Sequence, residues 1–340
     1  MTGLGAWNNA GATTTDVAPS PIFTSTSATT EVKPNVMFVL DDSGSMDWDY
    51  MPDAANDFRW QYGFHSSQCN GVYYDPTITY TSPVDALGVP FANSSFANAW
   101  DDGYNTGSGS TNLTGSYYYL YSGTQISQKQ KDYYNKSGIF YNECISSIGS
   151  TTKVDGTHAV NTLFTPISVS ATSGPGGRDE RVNFANWYSY YHTRMLMMKT
   201  AAGQAFKTLN SHFRIGFMSI DNNAKPAFLN IADFDSTQKS NWYSKLYRSN
   251  ANQSTPLREA LANVGRLYAG KITSLNGATV TDPVQYACQQ NYTILSTDGF
   301  WNGTDADVHK LDGTTTMDNQ DGSLPRPYND GASSTQTIVT

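Results

Sequence analysis

The 340-residue sequence predicts an α/β fold built on an open, mostly parallel sheet with flanking helices. Two short apolar runs carry the first part of that expectation. VMFVL (36–40) and the run in YTILSTDG (292–299) both read as buried strands, and each ends at an aspartate, Asp41 and Asp298. The order between them, helix, hairpin, helix, is the second observation and points to a parallel α/β sheet. The third is where the aspartates fall, since ligands of such sheets bind outside the carboxyl ends of the strands.

The elements follow in order. Residues 1–33 are rich in Ala, Thr, Ser and Pro and read as an extended arm. Residues 47–182 are rich in Gly, Ser, Asn and Tyr, with turn signals in CNGVYYDP, DDGYNTGSGSTN and SGPGG. A structureless loop of that length is improbable in a compact domain. An inserted subdomain is therefore expected after the first strand, β- and loop-rich, with short strands in stretches such as TGSYYYLYSG. Alternating strand burial accounts there for Tyr117, Tyr118, Tyr119 and Tyr121. The sheet domain is left with 34–46 and 183–340.

Trp187, Tyr191, Met195, Met198, Ala202, Ala205 and Leu209 recur at three- and four-residue spacing, which predicts one long amphipathic helix with Asn183 as its N-cap. His192 and Arg194 fall on its other faces and are expected to be solvated. FRIGFMSI (213–220) and PAFLNI (226–231), joined by DNNAK, predict a hairpin whose second strand lies at an edge that tolerates Pro226. Thr255-Pro256 opens a further helix with Leu257, Leu261, Val264 and Tyr268 as its stripe and Gly270 at its end. Beyond it and the last strand the chain reads as loop. Asp305, Asp307, Asp312, Asp318 and Asp321 miss the EF-hand spacing and read as a solvated acidic segment.

The formal net charge of −8 and pI near 5.0 exclude a basic nucleic-acid footprint. No run approaches the ~18 apolar residues of a membrane span. MTGLGAWNNAGATTT lacks the charged-then-apolar pattern of a signal peptide, so the chain is either cytosolic or an exported protein whose signal was removed. Low charge with 22 Tyr and 7 Trp favours export. Three cysteines allow at most one internal disulfide. Cys69 and Cys144, in the same polar region, are the preferred pair, and Cys288 is expected to be a buried thiol.

Asp41, Ser43 and Ser45 leave the first strand, Thr255 stands at a helix N-terminus, and Asp298 ends a later strand. All five donate hard oxygen, with no His or Cys among them. That set suits Mg²⁺ best, with Mn²⁺ or Ca²⁺ as alternatives, and argues against zinc or copper. A Mg²⁺ held largely by hydroxyls keeps enough charge to take an outside carboxylate, so such a site grips a partner's Asp or Glu without catalysis. Each residue also has a local explanation: a strand-end turn for the first three, an N-cap before Pro256 for Thr255, a turn before Gly299 for Asp298.

Asp41-Asp42-Ser43-Gly44-Ser45, the separate Thr255 and Thr297-Asp298-Gly299 together resemble the metal-ion-dependent adhesion site of von Willebrand factor A domains. More narrowly, KPNVMFVLDDSGSM, NFANWYSYYHTRMLMMKTAAGQAF, STPLREAL and CQQNYTILSTDGFWNG resemble, in order, the N-terminal half of PilY/PilC-type proteins, type IV pilus tip adhesins and biogenesis factors of Gram-negative bacteria. The resemblance implies a von Willebrand factor A-like (Rossmann-like) domain. It implies a non-enzymatic adhesion and assembly module at a pilus tip, with minor pilins or a host-surface protein as partners through an acidic residue. It also implies passage through periplasm and outer membrane to the cell surface. Surface sensing and a purely metal-stabilised structural or mechanosensing role are the alternatives within that family. A metal-dependent hydrolase is the remote alternative, since the Asp-x-Asp of a dehalogenase-type phosphatase and the Gly-x-Ser-x-Gly elbow are both absent. The family's C-terminal β-propeller has no counterpart here, and little strand-forming sequence follows Asp298. An N-terminal fragment with an exposed apolar sheet edge is therefore expected.

Overall fold

The computed structural model describes residues 32–51, 53, 59, 62–122, 164–221, 228–275, 277–299, 301, 302 and 308–317. The expected arm and most of the acidic C-terminal segment lie outside them. The strands and helices run in chain order as β1 (Asn35–Leu40), β2 (Ala99–Trp100), β3 (Ser110–Thr111), β4 (Tyr117–Tyr121), β5 (Phe164–Ser168), α1 (Arg181–Tyr190), α2 (Arg194–Phe206), β6 (Arg214–Ser219), β7 (Phe228–Asp233), α3 (Ser236–Arg248), α4 (Leu257–Tyr268), β8 (Ser274–Leu275), β9 (Ala278–Thr279) and β10 (Asn291–Ser296).

The main sheet has the order β10-β1-β6-β7. β1 pairs in parallel with β10 and β6, while β6 and β7 form the antiparallel hairpin. β1 is buried along its whole length and divides its residues between two cores. Val36, Phe38 and Leu40 face Met195, Ala202 and Phe206 of α2 and Trp242 and Leu246 of α3. Met37 and Val39 face Leu257, Ala260, Val264 and Leu267 of α4. The period of two along a strand thus serves both faces of one α/β layer.

The single helix expected from Trp187 to Leu209 is two. α1 stops at Tyr190, and α2 starts afresh at Arg194 with Thr193 as its N-cap, whose hydroxyl accepts from the Leu196 N–H at 3.2 Å. The periodic stripe runs through this break because the two halves serve different cores. Phe184, Ala185 and Trp187 pack with Tyr74, Tyr80, Leu113 and Tyr118, whereas Met195 and Ala202 pack on the sheet. Ala205, assigned to the stripe, is exposed; Phe206 is buried in its stead. Asn183 caps nothing helical. It lies in the first turn of α1 and bonds the Tyr80 N–H, the Tyr74 hydroxyl and the Ile78 carbonyl. α3 was not expected at all. Asp235 caps it by accepting from the Gln238 N–H at 2.9 Å.

The region between β1 and α1 is tied to α1 by polar groups as well as rings. The buried carboxylate of Glu180 accepts from the hydroxyls of Tyr74 (2.9 Å), Tyr118 (3.2 Å) and Ser173 (2.7 Å). β4 lies within the expected strand stretch TGSYYYLYSG and pairs antiparallel with β5, which lies outside that stretch. Its tyrosines do not alternate. Tyr118, Tyr119 and Tyr121 are all buried and Leu120 is the exposed residue, because aromatic neighbours cover both faces of the ribbon.

β10 departs from its expected burial. It lies at the border of the sheet with every residue except Ser296 exposed. Cys288 before it is an exposed free thiol rather than a buried one. Cys69 is buried and disulfide-bonded; its expected partner Cys144 lies outside the described residues. Among the described residues no helix is long and apolar enough to cross a membrane.

Candidate functional site

The carboxyl ends of β1 and β10 meet the segment that leads into α4. The Asp41 side chain is fully buried. Its Oδ1 accepts the Ser43 N–H at 2.9 Å, and its Oδ2 accepts the Thr297 hydroxyl at 2.8 Å. One carboxylate therefore closes its own turn and fastens it to the end of the neighbouring strand. The Ser43 and Ser45 hydroxyls lie 3.1 Å apart, set by the short helical turn Gly44–Asp47.

Ser43 forms an isolated parallel bridge with Gln253, and the Gly44 N–H donates to the Gln253 carbonyl at 3.0 Å. This brings the Thr255 segment alongside the Asp-x-Ser-x-Ser loop. Thr255 is buried and held by its backbone: its N–H donates to Asn302 Oδ1 at 2.8 Å and its carbonyl accepts from Asn302 N–H at 3.0 Å. Its side chain is not the cap of α4. Pro256 occupies that position without a side-chain cap bond.

Asp42, between the candidate ligands Asp41 and Ser43, braces the loop from the side of Asp221. Its Oδ1 accepts the Asp221 N–H at 3.3 Å, and its carbonyl accepts the N–H groups of Asn252 and Gln253. Burial pushes its carboxyl up to about 7, against hydrogen bonds from Ser219 and Asp221. Asp221 in turn accepts the Ser254 N–H at 3.1 Å. Gly299, at φ 124, lets the chain turn sharply after Asp298, and its N–H donates to the Thr297 hydroxyl.

Asp298 stands at the site but is paired. Its Oδ2 accepts from Arg194 Nη1 at 2.7 Å, with both side chains almost wholly buried. Arg194, expected to be solvated, is only 5% exposed. Its Nη2 reaches Asp53 at 2.5 Å, Nε and Nη2 both donate to the Tyr50 carbonyl, and the guanidinium lies 5.0 Å from the Trp48 ring centroid. His192, also expected in solvent, is partly buried and stacks on Tyr188 at 4.5 Å. Burial lowers its proton affinity. No periodicity signals either burial, because both follow from the break between α1 and α2.

Among the described residues, no group of three or more His, Cys, Asp or Glu side chains could hold a metal ion. A cation here would depend on the three hydroxyls. The carboxylates of Asp41 and Asp298 and the hydroxyls of Ser43, Ser45 and Thr255 are all hard oxygen donors of the kind a divalent cation takes.

A separate cavity of about 410 Å³ lies between α1 and the residues that precede it in the chain, lined chiefly by rings, among them Phe64, Tyr73, Tyr117, Trp187 and Tyr188. His65 sits in its wall, with Nδ1 3.1 Å from the Tyr73 hydroxyl and Nε2 3.2 Å from the Arg59 carbonyl. Burial lowers its pKa to about 4. The unfolded chain then binds the extra proton between about pH 6.5 and 4, so the stability that this neutral ring contributes is complete above 6.5 and lost as pH falls. His65→Gln is expected to flatten the acid limb of the stability curve by about 1–3 kcal/mol, read by thermal melts at pH 7 and 4.5. Parallel curves for variant and native chain would refute it.

The chain is similar to the type IV pilus biogenesis factor PilY1 of three Pseudomonas aeruginosa strains. It is 32% identical over 328 residues to that of PAO1, 31% over 331 residues to that of PAK, and 32% over 333 residues to that of UCBPP-PA14. These alignments cover 88%, 89% and 93% of this chain, and 26% or 27% of the relatives, so the chain spans about a quarter of their length. No family model matches it, and no solved structure matches it significantly. Over the stretch it shares with these relatives, the chain belongs to the PilY1/PilC type of proteins.

Proposed function

We propose that this segment is a von Willebrand factor A-like module of a type IV pilus protein, and that it takes part in pilus biogenesis and adhesion by gripping a partner's carboxylate through a divalent cation. The observation that carries the proposal is the pair of Ser43 and Ser45 hydroxyls at 3.1 Å, at the end of a buried parallel strand, with the segment that carries Thr255 bridged alongside through Gln253. Asp41, Ser43, Ser45, Thr255 and Asp298 would hold Mg²⁺, or Mn²⁺ in its place. The cation would supply an electrophilic point for an Asp or Glu of a minor pilin or a host-surface protein. The protein's own part is positional: Asp41 ties the β1 and β10 loops, and Asp42 and Asp221 brace the turn from behind. The module would work outside the cytoplasm, on the pilus, and without catalysis.

Calorimetric titration of Mn²⁺ into chelator-stripped protein tests this. One saturable site is expected in the native chain and none in Ser43→Ala/Ser45→Ala, whose melting temperature should stay close to native in the absence of metal. Equal binding by the double variant would place the cation elsewhere, and no binding by the native chain would end the metal reading.

A further inference from the structure

Arg194 is a cation paired directly with a candidate ligand, and nothing in the motif calls for it. It is buried, its fork divides between Asp298 (2.7 Å) and Asp53 (2.5 Å), and two segments converge on it: the one that brings the Tyr50 carbonyl and the Trp48 ring, and the end of β10. A buried guanidinium placed against one of five candidate ligands must alter the charge that a metal meets there. We propose that Arg194 sets the ligand preference of the site: by neutralising Asp298 it keeps a bound divalent cation electron-poor, which weakens its hold on the cation but strengthens its hold on an incoming carboxylate. This rests on the metal reading above and specifies what that site selects.

The charge count gives the direction. Asp41, Asp298 and Asp53 bring three negative charges, and Arg194 and a divalent cation bring three positive ones. Counting these groups alone, the loaded site is near neutral, and Asp42 and Asp221 behind the loop add the same charge with or without Arg194. Without Arg194 it carries a net negative charge, which attracts the metal and repels the carboxylate. At an effective dielectric of about 20, one unit charge several ångströms away shifts each equilibrium by about tenfold or more. Asp53, whose side chain is 20% exposed, is the adjustable member of the set, because its removal leaves Arg194 wholly to Asp298.

The test uses the 340-residue chain as native protein, Arg194→Gln, Arg194→Lys and Asp53→Asn. Mn²⁺ affinity is read from the electron paramagnetic resonance of free Mn²⁺. Acetate affinity is read from the loss of water-proton relaxation enhancement as acetate displaces metal-bound water. Arg194→Gln is expected to bind Mn²⁺ about tenfold more tightly and acetate about tenfold more weakly. Arg194→Lys should stay near native, and Asp53→Asn should shift both in the opposite sense. Where Arg194→Gln fails to fold, Asp53→Asn decides by itself. A purely structural role for Arg194 would lower stability without moving the two affinities in opposite directions, and that result overturns the proposal. Arg194→Lys behaving as Arg194→Gln also overturns it, since fork geometry rather than charge would then matter. No Mn²⁺ binding by the native chain refutes the metal reading and this inference with it, whereas native binding with unmoved variants refutes this inference alone.

Discussion

Trp242→Ala is expected to lower folding stability by about 3–5 kcal/mol, the cost of a large core truncation. The indole is fully buried at the meeting point of the sheet and two helices. It stacks on Phe206 of α2 at 4.3 Å between ring centroids and meets Phe38 of β1 edge-on at 5.5 Å, with Phe217 and Phe234 both at 6.1 Å. Four rings, from α2, β1, β6 and the link between β7 and α3, lose their common neighbour in the alanine variant, and none has a flexible side chain able to fill the space. The indole N–H has no acceptor among the described residues, so no hydrogen bond offsets the loss of packing. Trp242→Phe should accordingly retain most of the stability. Tyr292→Ala, on the exposed side of β10, should stay within about 0.5 kcal/mol of native. Urea unfolding decides: a lower midpoint at unchanged slope is expected for Trp242→Ala, and a native-like midpoint would mean that the core collapses to fill the hole.

The second large effect is at Asp41, where one side chain has two tasks. Asp41→Ala removes the acceptor of the buried Ser43 N–H and of the Thr297 hydroxyl, and should destabilise the chain by about 1–3 kcal/mol. It should also abolish Mn²⁺ binding, because the turn that aligns the serine hydroxyls opens and a carboxylate is gone. Asp41→Asn separates the two tasks. Its carbonyl oxygen can still accept the Ser43 N–H, so stability should stay near native, while lost charge lowers Mn²⁺ affinity by about tenfold or more. Native-like Mn²⁺ affinity in Asp41→Ala would remove Asp41 from the ligand set and leave it as a turn-closing residue only.

These two residues also mark what the sequence made legible. The strand before Asp41 is readable because buried parallel strands show as unbroken apolar runs, and β6, β7 and α4 are readable by period. α3 is hidden because only Gln238, Trp242, Tyr243 and Leu246 of its residues are buried, and its remaining face is polar. Its signals were the Asp235 cap and the spacing of Trp242 to Leu246. The break at Tyr191–Thr193 is hidden for the opposite reason: the apolar spacing continues through it, although the two halves feed separate cores. The candidate ligands were visible as a motif of residue types. The braces were not, since Gln253 acts through its backbone, and Asp221 and Asn302 enter from segments with no pattern of their own. Arg194 was misread as solvated because its partners Asp53 and Asp298 are distant in sequence and become neighbours only through the sheet.

The open border of the sheet has a geometric consequence for the proposed site. β10 offers Tyr292, Ile294 and Leu295 at 49%, 45% and 36% exposure beside a ladder paired on one side only among the described residues. Any extended segment laid along that ladder is indexed residue by residue, and the index runs straight on into Thr297 and Asp298. For such a segment the rim would be a ruler with the proposed site at its zero mark: a slip of one residue along β10 would turn a side chain from one face of the sheet to the other, so which groups arrive beside Asp298 would depend on register as well as on composition.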